Sequence, residues 1–429
     1  MPNPSTLPNR REFLKQTPAL LGLLMSVPAL ARTRFSAKKS ILLRSSWQTE
    51  NIGDIAHTPG VLTLLENYLP DVEVRLWPSN VGNGVEELLK KRFPALVILK
   101  TAEEKTAALA DCVFLLHGSG PSLVGRKEIE QWRETGKPYG IYGITWPGVY
   151  GFEKDRWKFN PADVALLTQA RFAYFRDSVS MEFAKSKGVA CPIMEFCPDG
   201  AFAVDIRNDK AADAFLKEHG LETGRFLCAI PQLRFSPWWE LPQKKLSVNP
   251  EKHARNEQMK EQDNKPIRDA IVAVVRQTPL KILIVPENET QVRIGKEMLY
   301  DPLPDDVKAK VVWRDRYWLT DEAVSTYARS AGLFGIEMHS PIMCIALGIP
   351  ALVCRFEEQT SKGAMWRDIG LSDWLFDLDT PNDVDRIVPA VLEMAKNPQT
   401  AHLKVKKAQQ FVAKRQRETM AVVRKNVGV

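Results

Sequence analysis

The stretch Leu333–Cys354, LFGIEMHSPIMCIALGIPALVC, decides the fold. Leu333–Ile336 reads as a strand, Ile342–Leu347 as a buried helix and, past the break at Gly348-Ile349-Pro350, Ala351–Cys354 as the next strand. Two apolar strands joined through a helix make the unit of a parallel sheet covered on both faces. His339 stands where the first strand hands over to the helix, on the side where open parallel sheets bind their ligands. An imidazole titrates near neutral pH and suits proton traffic there. The position suits a structural hydrogen bond equally well, and position alone leaves both roles open.

The same cadence runs outward in both directions. Leu375–Asp377 follows, and Val311–Trp313, Lys281–Val285 and Phe226–Ile230 precede. Beyond a polar stretch near 203–224 lies an earlier series: Ile41–Arg44, Val72–Trp77, Ala95–Leu99, Cys112–Leu116, Tyr139–Tyr142, Phe172–Phe175 and Ile193–Phe196. Helical stretches near 59–69, 83–92, 102–110, 123–135, 161–169 and 178–187 alternate with that series. The pattern predicts an α/β protein of two Rossmann-like domains, residues 40–215 and 216–395, facing one cleft. Residues 232–265 break the cadence, being polar, Pro-bearing and too long for an ordinary connection, so they are either functional or a mobile insert. Arg234 with Trp238 and Trp239 suits an anion and a sugar ring.

The ends of the chain carry their own information. Asn9-Arg10-Arg11-Glu12-Phe13-Leu14-Lys15, the apolar run Pro18–Leu30 and Ala29-Leu30-Ala31 have the three parts of a secretory signal. The arginine pair resembles the twin-arginine export signal of bacteria. Residues 1–31 are therefore expected to be such a signal, followed by a linker over 32–39. The protein is expected to pass the twin-arginine translocation machinery to the periplasm or cell envelope, and to touch a membrane only through an uncleaved signal. At the other end, residues 396–429 form a basic helix. Lys404, Lys406, Lys407, Lys414, Arg415, Arg417, Arg424 and Lys425 against Glu418 account for the entire net charge of +7. Leu403, Ala408, Phe411, Val412 and Val422 roughly fit an apolar stripe that docks this helix on the body. No basic–aromatic interleaving of the kind that binds nucleic acid is present. The six cysteines form no C-x-x-C pair and the six histidines no metal-ligand spacing, so no metal is expected.

Candidate chemistry clusters where strands end. Asn51-Ile52-Gly53-Asp54 follows the first strand, ahead of a helix whose start Pro59 is expected to mark; Asp54 reads as its cap or as an anion-site residue. His117-Gly118-Ser119-Gly120 makes a Gly-rich turn from strand to helix, a cradle for phosphate or sugar when its neighbours agree. It also resembles the oxyanion turn of α/β-hydrolases, but no G-x-S-x-G elbow follows. Arg176-Asp177-Ser178 and Pro198-Asp199-Gly200 end two further strands, each with an ordinary cap or turn as the alternative reading. Glu358 and Lys362 follow the strand Ala351–Cys354, where Lys362 suits a carboxylate or phosphate.

Taken in order, Asn51/Gly53/Asp54, Gly118/Gly120, Arg176/Asp177/Ser180, Pro198/Asp199/Phe202 and His339/Ala346/Gly348/Pro350 resemble the motifs of the polysaccharide pyruvyl transferase family. The resemblance implies a GT-B-like pair of Rossmann-like domains and transfer of a pyruvyl group from phosphoenolpyruvate to a sugar, as a ketal. It implies a cell-envelope or exopolysaccharide glycan as acceptor and no cofactor beyond the donor. His339 becomes the acid/base or a donor ligand. Arg176, Arg234, Lys362 and Ser340 become donor contacts. The acceptor enters past Asn51, Gly53, Asp54, His117, Gly118, Ser119 and Gly120, with Asp199 and Glu337 also in the cleft. One departure is marked: Glu337 stands where the family carries arginine. A transferase with another donor, and a carbohydrate-binding relative without catalysis, are the competing readings.

Overall fold

The computed structural model of the chain describes residues 38–147 and 158–429. The export signal expected at residues 1–31 lies outside the described residues, as does most of the linker. Residues 39–429 form one compact body. A first sheet contains β1 (Ser40–Ser45), β2 (Glu73–Pro78), β3 (Val97–Ile98), β4 (Phe114–His117), β5 (Tyr139–Ile144), β6 (Ala173–Phe175) and β7 (Met194–Phe196). A second contains β8 (Phe226–Ile230), β9 (Lys281–Ile284), β10 (Val311–Trp313), β11 (Gly332–Gly335), β12 (Ala351–Arg355) and β13 (Leu375–Asp377). Both sheets are parallel. Their orders are β3-β2-β1-β4-β5-β6-β7 and β10-β9-β8-β11-β12-β13. Strand addition therefore reverses between β1 and β4 in one sheet and between β8 and β11 in the other, and ligands settle beyond the carboxyl ends at such points.

Every strand expected from the apolar runs is present, with ends shifted by at most two residues. Central strands β1, β5, β8 and β11 are buried along their length, while β7, β10 and β13 are only partly so. Along β1, Ile41 and Leu43 join one core and Leu42 the other, the two-residue alternation of a strand covered on both faces.

The helix Ile52–Tyr68, directly after β1, is buried from Ile52 through Leu65 because it also meets the second half. Ile52 N donates to Glu287 O at 2.9 Å and Thr320 Oγ1 to Ile52 O at 2.8 Å. Pro59 does not mark its start. Asn51 caps the helix, accepting from Gly53 N at 2.7 Å and Asp54 N at 3.2 Å, and Pro59 lies two turns inside. The Asp54 side chain is therefore not the cap and is left for other work.

Three further expectations are adjusted. Residues 250–265 are no loop but the front of a 28-residue helix, Pro250–Gln277, whose Asn249 accepts from Lys252 N. The helix Asp209–Glu218 belongs with the second sheet, since the Arg314 guanidinium sits 4.5 Å over Phe215 and Asn208 N donates to Asp321 O. The chain thus changes halves before residue 209. In the terminal helix Pro398–Val427, Leu403 and Phe411 face outward at 63% and 37% exposure, and the docking seam runs through Ala401, Val405, Ala408, Val412, Met420 and Val423. That seam returns the chain to the first half, where Arg415 pairs with Glu195 at 2.8 Å and Lys39 Nζ donates to Gly428 O at 2.7 Å. No helix among the described residues is long and apolar enough to cross a membrane.

Candidate active site

A helix buried all round normally carries apolar residues only, yet Ile52–Tyr68 buries Asp54 and His57 near its start. Three residues apart, they share a helix face. His57 Nε2 lies 3.7 Å from Asp54 Oδ1, and Gln48 Nε2 donates to Asp54 Oδ2. On its other side, His57 Nδ1 meets Asp199 Oδ1 at 2.9 Å.

Asp199 follows β7 and holds the first half's polar cluster together. It accepts from Arg176 Nη1 at 2.5 Å and from Ala201 N at 2.8 Å, while Ser119 Oγ lies 3.0 Å away. Burial alone raises a carboxyl, but here attraction to His57 and Arg176 outweighs it and holds Asp199 well below the ordinary range. With Asp199 ionised, His57 Nδ1 is the nitrogen that donates to it, and Nε2 points away from that bond. Arg176, directly after β6, also donates through Nε to Thr145 Oγ1 at 2.7 Å. Asp177 caps the next helix, accepting from Ser180 N at 2.7 Å.

The second half supplies a matching imidazole. His339 opens the helix His339–Ala346 beyond β11, and its Nδ1 lies 3.0 Å from Glu287 Oε1. The other oxygen of Glu287 accepts from Ser340 N at 2.6 Å. The two histidine rings stand edge to face with centroids 4.9 Å apart, and Arg176 Nη1 lies 3.4 Å from His339 Nε2. Gly53 makes this approach possible: a Cβ there would fall 2.3 Å from the His339 ring. Burial above all, with the cations Lys362 and Arg176 adding to it, presses the His339 pKa down to about 3, so the ring is neutral at pH 7. Glu337 moves the opposite way, to about 8, through burial and the neighbouring Glu287. Its Oε1 accepts from Gln291 Nε2 at 2.9 Å and from Gln232 Nε2.

These groups line a cavity of about 340 Å³ that receives Asp54, Arg176, Gln232, Glu337, His339 and Lys362. Asn51, Arg234 and Trp238 also reach it. The Lys362 ammonium makes no hydrogen bond or ion pair among the described residues. Arg234, by contrast, is fully engaged, donating to Asp263 twice at 2.9 Å, to Glu358 at 2.8 Å and to Asp379 at 2.6 Å.

Other expected site residues stand behind the lining. His117 is fully buried, bonds Val124 O through Nε2 at 2.7 Å and stacks on Trp47; burial presses its pKa to about 4. Gly118 and Gly120 keep the turn close to Ser45 and Trp47, and Ser119 and Asp199 brace His57 from behind. Ser340 points into the core, its Oγ accepting from Tyr327 at 3.0 Å. Sequence reasoning missed His57, Glu287, Gln232 and Gln291. Two had a readable sign: Asn51 as cap would have put Asp54 and His57 on one helix face, and Pro286-Glu287-Asn288 is another polar cluster at a strand's carboxyl end.

Among solved structures, the chain is similar to S. aureus MnaA with UDP (10% identity, 86% of this chain and 91% of that one, TM-score 0.54). It is also similar to Anabaena Alr3699/HepE with UDP and glucose (8%, 88% and 95%, 0.52) and to Medicago truncatula UGT71G1 with UDP-glucose (11%, 88% and 95%, 0.51). At such identities the likeness is one of fold: two Rossmann-like halves in the GT-B arrangement. No curated protein matches the sequence. The profile of polysaccharide pyruvyl transferases matches residues 51–356, a span that runs from the Asn51 cap past His339, and the chain belongs to that family.

Proposed function

We propose that the protein is a glycan-modifying transferase that moves a pyruvyl group from phosphoenolpyruvate onto two hydroxyls of an envelope sugar, forming a ketal. Ketal formation needs a proton delivered to the methylene carbon of the donor, protons taken from two attacking hydroxyls, and cations for the carboxylate and the departing phosphate. Atoms balance: one hydroxyl proton ends in the new methyl group and the other leaves with inorganic phosphate. The observation that carries the reading is the meeting of His339, Glu337, Arg176 and Lys362 in one cavity, where burial presses the imidazole down and the carboxyl up. Titratable neighbours pushed apart in this way divide the acid and base roles between them. Glu337 at about 8 is a carboxylic acid at neutral pH and delivers the proton. Being uncharged, it also does not repel an anionic donor as an ionised carboxylate would at the family's arginine position. His339 Nε2 takes a hydroxyl proton, and Arg176 with Lys362 meets the donor's charge.

The test is direct. The purified full chain is mixed with phosphoenolpyruvate and envelope glycan, and ketal methyl signals are followed by NMR alongside phosphate release. Both appear with the parent and vanish with His339→Ala; a thermal-shift panel in which phosphoenolpyruvate leaves melting unchanged counts against this donor.

A second donor is favoured by one observation: the similar GT-B structures hold UDP or UDP-glucose, and export would separate the protein from cytoplasmic phosphoenolpyruvate. A UDP-glucose shift in the same panel, without one from phosphoenolpyruvate, selects that reading. A glycan that binds with no turnover of either donor selects the noncatalytic one. The expected location, the periplasm or cell envelope by twin-arginine export, is tested by fractionation with Arg10→Lys/Arg11→Lys, which should trap the protein in the cytoplasm.

A further inference from the structure

Asp54, His57 and His339 offer one donor atom each, and these atoms all lie within 4.8 Å of one another. We propose that the three residues form a binding site for a divalent transition metal ion of the zinc type, open on its fourth side to the cavity.

Each ring is set up for ligation in the same way. His57 gives its Nδ1 to Asp199 at 2.9 Å and His339 gives its Nδ1 to Glu287 at 3.0 Å. A carboxylate on the far nitrogen is the usual companion of a metal-bound histidine: it fixes the tautomer, aims the other nitrogen and makes it more basic. Both Nε2 lone pairs then face the shared space. His57 Nε2 is fully buried and has no hydrogen-bond partner among the described residues. A buried polar atom left that way is costly, and a cation would satisfy it. Tetrahedral bonds of about 2.0–2.1 Å hold neighbouring ligand atoms roughly 3.3 Å apart. His57 Nε2 and Asp54 Oδ1 already stand at 3.7 Å.

Charge points the same way. Arg176 Nη1 lies 3.4 Å from His339 Nε2, a long contact that an ion on that nitrogen would replace, the guanidinium turning away from the ring about its much shorter bond to Asp199. Around the three ligands the Arg176 guanidinium and the Lys362 ammonium face the carboxyl groups of Asp54, Asp199 and Glu287, so carboxyl groups outnumber cations where a divalent ion would sit. Two imidazoles and one carboxylate favour zinc, cobalt or nickel over magnesium or calcium. Asp54 and His339 both line the cavity, so the remaining position faces the substrate. There the ion would lower the pKa of an attacking hydroxyl, and His339 would serve by holding the ion instead of taking the proton itself.

The inference shares His339 with the reading above but does not depend on which donor is used, because its test is metal binding by the free protein. The full chain, treated with chelator, is titrated with cobalt(II) and followed by its visible d–d absorption. We expect one equivalent to bind with the intensity of a four-coordinate nitrogen–oxygen site, competed away by zinc. His57→Gln and Asp54→Asn, shown folded by circular dichroism, should weaken binding by about tenfold or more. His219→Ala and His402→Ala, on the surface, should not change it. No cobalt absorption in the parent overturns the inference. So does a thiolate charge-transfer band, which would place the ion on one of the six buried cysteines. Turnover that survives complete metal removal yet is lost in His339→Ala overturns it too and leaves the ring as the base, so the two readings fail separately.

Discussion

Two arginines reach the cavity from opposite halves, each with its side chain 1% exposed, and they have opposite tasks. Arg234 spends every nitrogen on the protein, with Asp263, Glu358 and Asp379 around it. Arg176 spends Nε on Thr145 and Nη1 on Asp199, and its Nη2 has no hydrogen-bond partner among the described residues. A saturated guanidinium is a structural pin; one with a free donor beside a cavity is an anion contact. The difference shows that burial and residue type do not distinguish binding from support, whereas counting partners does.

The largest effect should come from removing the pin. Arg234→Ala leaves Asp263 buried without its cation and Glu358 with Arg255 alone, and losing one side of a buried ion cluster costs about 3–5 kcal/mol. Chemical denaturation should show that loss; an unchanged midpoint would mean the two arginines are alike after all. Next comes Arg176→Lys, which keeps charge but removes the planar fork. Turnover should fall by about 10²-fold, the usual result of removing one aimed donor, with a much smaller change in melting than Arg234→Ala produces. Equal losses of stability in both variants would erase the contrast.

Gly53→Ala tests how closely the halves approach. Its Cβ would sit 2.3 Å from the His339 ring, so either the ring or the helix Ile52–Tyr68 must move. Overpacking of this kind costs about 1–3 kcal/mol. Turnover should drop more than stability, because the displaced group is the one facing Arg176.

The sheets were legible because each strand is a short apolar run between polar breaks, and burial on both faces leaves no other use for such runs. The site was legible only where a strand's end placed a polar residue, as for Arg176, Glu337 and His339. His57 stayed hidden behind Pro59, which resembles a helix start, although the Asn51 cap places it inside the helix. The bonds His57–Asp199 and His339–Glu287 join residues far apart in sequence, so no spacing rule reaches them. Arg234 looked like a ligand contact because its three carboxylates come from separate segments that only the fold assembles.

The carboxylates extend the contrast to proton binding. Glu358 and Asp263 have Arg234 bonded to them as cation, while Glu337 is bonded to the amides of Gln232 and Gln291, and there burial and the neighbouring Glu287 outweigh the attraction of Lys362. Its pKa therefore rises from an ordinary 4.5 to about 8. The folded protein holds that proton more tightly than the unfolded chain, so this group's contribution to stability is greatest below pH 4.5 and is lost as pH rises through about 8. Glu337→Gln keeps the oxygen that accepts from both amides and has no such proton to lose. Near pH 5 parent and variant should melt within about a degree of each other; toward pH 8 the variant should gain steadily, then level off above it. A melting difference that stays flat across that window would show that Glu337 is ionised throughout, and that Lys362, not a bound proton, compensates it.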